Sequence, residues 1–249
     1  MKVSIIIPTH NEEILIRNIL DDTVGCVPSE VIEEVIVVND HSIDRTVKVV
    51  EECAQKYSIV NIKVISNDTS AGFANALRQG IKEARGDLII YLMADGCDRV
   101  SDIDVMFNKL AQGDFDMVCA SRYMKNGKRN GGSLLKGFFS RFVGVSLNCI
   151  IKIPTKDSSN AFKMYKREIL DKIALTSSGF EISMELCLRA YLAGYRIGEV
   201  PTVWYEREQG SSDFKMFKQS FGYIRLYVWG ILNYFKNNLC PICFMRYMQ

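Results

Sequence analysis

Asp95 and Asp98 stand three residues apart, just past the apolar run Leu88-Ile89-Ile90-Tyr91-Leu92-Met93. Carboxylate oxygens on a tight turn suit Mg²⁺ or Mn²⁺, hard ions that share their coordination with substrate phosphates. Asp40 follows a second run, Val35-Ile36-Val37-Val38, and can accept hydrogen bonds from the base or ribose of a nucleotide. Glu12 closes the cluster Pro8-Thr9-His10-Asn11-Glu12 that follows a third run, Val3-Ser4-Ile5-Ile6-Ile7. Arg122 and Arg207 carry guanidinium forks that match phosphate oxygens. A divalent ion with two arginines is the equipment for neutralising a departing diphosphate.

Runs of four to six apolar or β-branched residues, spaced by helical stretches, predict buried parallel strands. Helical spacing is present within residues 11–33, from Asp44 to Tyr57, and from Ser70 to Ala84; Val60 to Ile65 is a short strand. The pattern is β-α-β-α-β-α-β, which predicts an α/β fold: a doubly wound, mostly parallel sheet with helices on both faces. Ligands of such sheets bind beyond the carboxyl ends of the strands. Glu12, Asp40 and Asp95 are therefore expected to converge on one crevice. Further on, Asp102 to Leu110 and Glu181 to Ala193 are predicted helices, the second closed by Gly194. Met117 to Ala120 and Arg196 to Tyr205 are predicted strands, and Pro201 marks the latter as an edge or a bulge. Lys125 to Gly132 is predicted to be a mobile loop, residues 206–215 a polar one, and Met216 to Phe235 an aromatic helix. Gly72, Gly80 and Gly86 are turn or packing positions. The chain has no G-x-G-x-x-G after the first strand and no G-x-x-x-x-G-K-[ST], which argues against a dinucleotide dehydrogenase and a P-loop NTPase.

VSIIIPTHNE, VIVVNDHSIDRT, AGFANALRQGIKEARGDLIIYLMAD, ASRY and REQGSSDFK occur in this order across roughly residues 2–215. Together they resemble the family 2 glycosyltransferases of GT-A (Rossmann-like) fold, above all the dolichol- or polyprenyl-phosphate mannosyltransferase branch. The resemblance implies a nucleotide-sugar donor, GDP-mannose or a UDP-sugar, and Mg²⁺ or Mn²⁺ as cofactor. By likeness, Pro8, His10, Glu12, Val38 and Asp40 would hold the nucleoside. Ala94 and Asp95 would face the ribose and diphosphate, with Asp95 on the metal. Arg122 and Arg207 would contact the donor phosphates, and the late loop would act as a lid. Asp95, Arg122 and Arg207 would thus carry the catalysis.

The chain departs from the family pattern in places. The first carboxylate of the family's D-x-D is replaced by Met93, a position that is often Gln is Cys97, and Asp213 stands where a lysine is usual, with Lys215 two residues on. Asp98 is close enough on its turn to serve as a second metal ligand. A polyprenyl phosphate acceptor is already an anion and needs no protein base; inversion follows from in-line attack. A saccharide hydroxyl acceptor, as in surface polysaccharide synthesis, needs a carboxylate base, with Asp157 and Glu185 the candidates. A third reading is a non-catalytic nucleotide-sugar binder, and large activation by Met93→Asp would be its signature.

Simpler roles stand beside these. Asp95 and Asp40 could be helix caps, Glu12 a first-turn acid, and Glu185 a surface ion pair on a helix. With 249 residues and a net charge of +2, the chain is one large domain, or one with an appendage, and gives no case for nucleic acid. The expected division is a GT-A domain over 1–215 and a helical tail over 216–249. Residues 136–152 and 217–235 combine apolar faces with basic flanks, which fits helices lying on a membrane surface as well as helices covering the sheet. No stretch reaches the ~20 apolar residues of a membrane span. The apolar start ends at Pro8, too short for a signal-peptide core. A cytoplasmic protein, peripheral on the cytoplasmic face of a membrane, is expected. Of the 8 cysteines, Cys53, Cys119, Cys149 and Cys187 are expected to be buried, and Cys240 and Cys243 form a weak metal signal.

Overall fold

The computed structural model describes residues 1–206 and 216–239, the last helix being described by backbone alone at Met216, Phe217, Lys218 and Leu239. Arg207, Asp213, Lys215, Cys240 and Cys243 lie outside the described residues.

The chain begins with β1 (Val3–Thr9), α1 (Ile16–Cys26), β2 (Ile32–Asn39), α2 (Thr46–Lys56), β3 (Ile62–Ser66), α3 (Phe73–Glu83) and β4 (Leu88–Tyr91), the alternation expected from its apolar runs. It continues with α4 (Asp102–Ala111), β5 (Met117–Ser121), β6 (Lys128–Asn130), α5 (Leu134–Ile151), β7 (Lys163–Lys166), α6 (Glu168–Lys172), α7 (Ile182–Leu192), β8 (Ile197–Pro201), β9 (Val203–Tyr205) and α8 (Met216–Leu239). Seven strands form one sheet in the order β3-β2-β1-β4-β7-β5-β8. Only β7 runs against its neighbours, β4 and β5.

The strands read as continuous apolar runs because both faces are covered. Ile5, Ile7, Val35 and Val37 pack toward α1, α2 and α4, while Ile6, Ile36 and Val38 pack toward α3 and the later helices. Gly80 lets α3 sit directly on β1: a Cβ there would strike Ile6 and press on Val38.

Four expectations are corrected. Residues 125–132 hold a strand, β6, whose partner is β9, so the predicted strand from Arg196 to Tyr205 divides at Thr202 between two sheets. No periodicity marks either three-residue piece, because the pairing that makes them is non-local. β7 has no counterpart in the sequence reading for the same reason. Cys149 is exposed, on the outer side of α5. Finally, α5 is by length and composition apolar enough to cross a membrane: 18 residues with mean hydropathy 1.4, of which 17% are buried. Lys136 and Arg141 interrupt its run in the sequence, but they are too few to lower the helix average.

Candidate active site

The direction of winding reverses between β1, which continues to β2 and β3, and β4, which continues to β7. A crevice of about 1140 Å³ opens beyond the carboxyl ends of these strands, the place an open α/β sheet offers a ligand. Pro8, His10, Glu12, Asp40, Ala94, Asp95, Asp98 and Arg122 all line it. The expected convergence of Glu12, Asp40 and Asp95 is present. Val38 is the exception. Its side chain is fully buried under Gly80 of α3 and does not line the crevice.

At one end, Asp40 accepts from Asn67 Nδ2 at 2.7 Å and from the backbone N–H of Gly72 at 2.8 Å. The carboxylate thus ties the end of β2 to the turn before α3, and it does not cap α2. Asp44 accepts from Thr46 there instead. His10 Nδ1 bonds the Asp40 carbonyl at 2.6 Å, and Asn11, at φ 52°, turns the chain away from β1. The Glu12 carbonyl takes the N–H groups of Leu15 and Ile16, which start α1.

Beyond β4, Asp95 Oδ1 accepts from the Cys97 N–H at 3.1 Å, closing a turn that needs Gly96 at φ 70°. Because α4 begins only at Asp102, Asp95 caps no helix. Burial pushes the Asp98 carboxyl up to about 7; the charge of Asp95 adds to this and Arg122 opposes it. Two carboxylates crowded at a crevice fit a hard divalent ion whose remaining ligands come from a diphosphate. Among the described residues, no group of three or more His, Cys, Asp or Glu side chains could hold an ion alone.

Arg122 is clamped by Asp157. Nε and Nη2 reach its two oxygens at 2.7 and 2.8 Å, the backbone N–H adds a third bond at 3.0 Å, and Nη2 also reaches Ser140. Burial alone would lower the Arg122 pKa, but Asp157 raises it, so the charge is permanent. Glu185 is fully buried and away from the crevice. It accepts from the N–H groups of Thr176 and Ser177, the Thr176 hydroxyl and Arg189 Nε. These bonds overcome the effect of burial and hold its carboxyl at about 2. Both candidate bases spend their carboxylates on neighbouring donors.

The sequence reading missed much of the far wall. Arg129, Lys136 and Ser140 line the crevice beside Arg122, with Arg129 stacked on Trp204 at 4.9 Å. From α8 come Gln219, Tyr223 and Tyr227. The basic flank of α5 was the available signal for Lys136. Nothing local marks α8 as a wall.

The sequence model of glycosyl transferase family 2 matches residues 4–174. A dolichol-phosphate mannosyltransferase of Pyrococcus furiosus is 30% identical over 232 residues, 90% of this chain and 62% of that protein. A dolichyl-phosphate beta-glucosyltransferase of Trichomonas vaginalis is 27% identical over 248 residues, 93% of this chain and 74% of the relative. The chain thus spans a little under two thirds of the Pyrococcus relative's length. Among solved structures, S. aureus TarS 1–349 in complex with UDP-GlcNAc superposes with a TM-score of 0.66 at 22% identity, over 94% of this chain and 67% of that one. Glucosyl-3-phosphoglycerate synthase of Mycobacterium tuberculosis, in complex with Mn²⁺, UDP and glucosyl-3-phosphoglycerate, does so with a TM-score of 0.65 at 16% identity, over 94% and 79%. These likenesses identify the fold as GT-A.

Proposed function

Because the chain belongs to glycosyl transferase family 2, we propose that it moves a hexose from a GDP- or UDP-linked donor to a polyprenyl or dolichyl phosphate, with inversion. The observation that carries this reading is the acid pair Asp95 and Asp98, set in the same crevice as Asp40 and a clamped Arg122. Asp95 and Asp98 would hold Mg²⁺ or Mn²⁺, which supplies positive charge to the diphosphate when bound. The rest falls to the chain. Pro8, His10, Glu12 and Asp40 bind and orient the nucleoside. Arg122, fixed by Asp157, keeps a permanent charge beside the reacting phosphates at no cost in reorganisation. Arg207, outside the described residues, is proposed to do the same from the late loop.

The acceptor class rests on two further supports. A phosphate acceptor is an anion near neutral pH and needs no base, and both carboxylates that might serve a hydroxyl acceptor are committed to other groups. At the far end of the crevice, Phe139 and Phe142 of α5 and Ile224 of α8 both line it and are exposed, at 52%, 56% and 60%. An apolar exit supports a lipid-linked acceptor that arrives from a membrane surface, with the protein peripheral on the cytoplasmic face.

The test is calorimetry of GDP- and UDP-sugars, with and without Mn²⁺, followed by transfer of labelled sugar to polyprenyl phosphate. Metal-dependent binding that is lost in Asp95→Ala, with transfer to the lipid, is the expected result. A wild-type chain that binds no donor under any condition refutes it.

A further inference from the structure

A donor site must meet the sugar as well as the nucleotide, and the crevice has two polar atoms with nothing yet to meet. Ser183 stands in the first turn of α7, is 1% exposed and lines the crevice. Its Oγ has no hydrogen-bond partner among the described residues. Serines and threonines inside helices commonly fold back on the carbonyl four residues earlier. Thr23 and Ser146 do so here, to Ile19 and Phe142; Ser183, second residue of α7, has no helical carbonyl four residues back to turn to. Gln219, on α8, lines the same crevice, and its Oε1 is likewise buried without a partner.

Such orphans are costly, and each calls for a group that completes it. Among the described residues, the other buried side-chain atoms without a partner, such as those of Ser158, Ser177 and Thr202, do not line the crevice. The two that do come from elements far apart in sequence. Beside them Phe180, at the foot of α7, stacks on Phe73 of α3 with centroids 4.7 Å apart. Apolar rings next to isolated hydroxyl and amide groups suit a pyranose, which offers C–H faces and hydroxyl edges.

The chemistry narrows the ligand. Gln219 Oε1 can only accept, so its partner must donate. Phosphate oxygens near neutral pH are acceptors, whereas sugar hydroxyls do both. We infer that Ser183 and Gln219 bind hydroxyls of the transferred sugar, so that the choice among epimeric hexoses is made by the first turn of α7 together with α8. This rests on the nucleotide-sugar reading above.

The experiment compares the wild-type chain, Ser183→Ala and Gln219→Leu by calorimetry with Mn²⁺. The probes are UDP-glucose and its 4-epimer UDP-galactose, GDP-mannose and its 2-epimer GDP-glucose, and free UDP and GDP. Each substitution is expected to weaken the preferred sugar nucleotide about tenfold, the worth of one good hydrogen bond. It should narrow the gap between epimers and leave the free nucleoside diphosphate within about twofold, since the nucleotide contacts are untouched. Ser183→Ala should also leave the unliganded melting midpoint unchanged or raise it, because it removes an atom that has no partner. Equal losses for sugar nucleotide and free nucleotide, unchanged epimer preference, or a clear drop in the unliganded midpoint would each overturn the inference alone. A wild-type chain that binds neither nucleotides nor sugar nucleotides would overturn the transferase reading, and this inference with it.

Discussion

Asp157 is fully buried and spends its carboxylate on three bonds from Arg122. Removing one partner strands the other charge, which typically costs more than the intact pair contributes. Asp157→Asn is expected to lower stability by roughly 3 kcal/mol and donor affinity with it, read as the melting midpoint and by calorimetry. Glu185 gives a prediction in pH. Its folded carboxyl sits at about 2, below an ordinary value of 4.5. The unfolded chain therefore binds that proton first as pH falls. The stabilisation is complete above the ordinary value and is lost as pH falls through it toward 2. The midpoint difference between wild type and Glu185→Gln should be flat from neutrality down to about pH 5 and shrink below it. A constant difference down to pH 2 would contradict this account. Residue types alone announced the acid pair and Arg122. They could not announce that Asp157 is occupied, because its partner comes from the Ser121-Arg122 strand end; Glu185 does form the expected helix ion pair, with Arg189, but it is buried and the 176–177 turn completes it.

At the scale of elements, α5 crosses the 155–158 segment at Gly144, where an added Cβ would strike the Lys156 carbonyl. That backbone leads directly into Asp157, so the crossing fixes the Arg122 clamp. Gly144→Val should displace α5, reduce donor affinity and lower the midpoint. Gly144→Ala, in a helix exposed elsewhere, would be stabilising if the crossing were loose, so a raised midpoint would refute the contact. The 174–178 segment is held in a similar way. Arg78 of α3 donates to the carbonyls of Leu175 and Ser177, while Glu185 of α7 accepts from the N–H groups of Thr176 and Ser177. This places the start of α7, with Phe180 and Ser183, against the start of α3.

At the scale of the molecule, α8 packs on α5 and α7: Gly222 lies against Glu181, Gly230 against Leu188, and Tyr227 bonds Ser146 at 3.0 Å. Ending the chain at residue 215 would uncover these faces and remove part of the crevice wall. A large loss of stability and no donor binding are expected. Leu134, Phe138 and Phe142 of α5, with Phe221 and Leu232 of α8, remain 56–88% exposed. Burying such side chains in lipid is worth roughly 1.5–3 kcal/mol each. The triple variant Leu134→Ser, Phe138→Ser, Phe142→Ser should bind vesicles at least about tenfold more weakly, with little change in midpoint because these groups are more than half exposed and Phe138 packs on Phe139 and Phe142 of its own helix. Equal sedimentation with vesicles would remove the membrane from the proposal.

The sequence by itself determined the alternating α/β order, the strand ends that carry Glu12, Asp40 and Asp95, and the family. All of these are written in local runs: a buried parallel strand needs a continuous apolar stretch, and its polar end must face the crevice. Tertiary structure alone decided the rest. The reversed β7, the β6–β9 pair, the burial of Val38, the engagement of Asp157 and Glu185, and the entry of α8 into the crevice depend on which distant segments meet. Hydrophobic spacing records which face of an element is buried, but not what buries it.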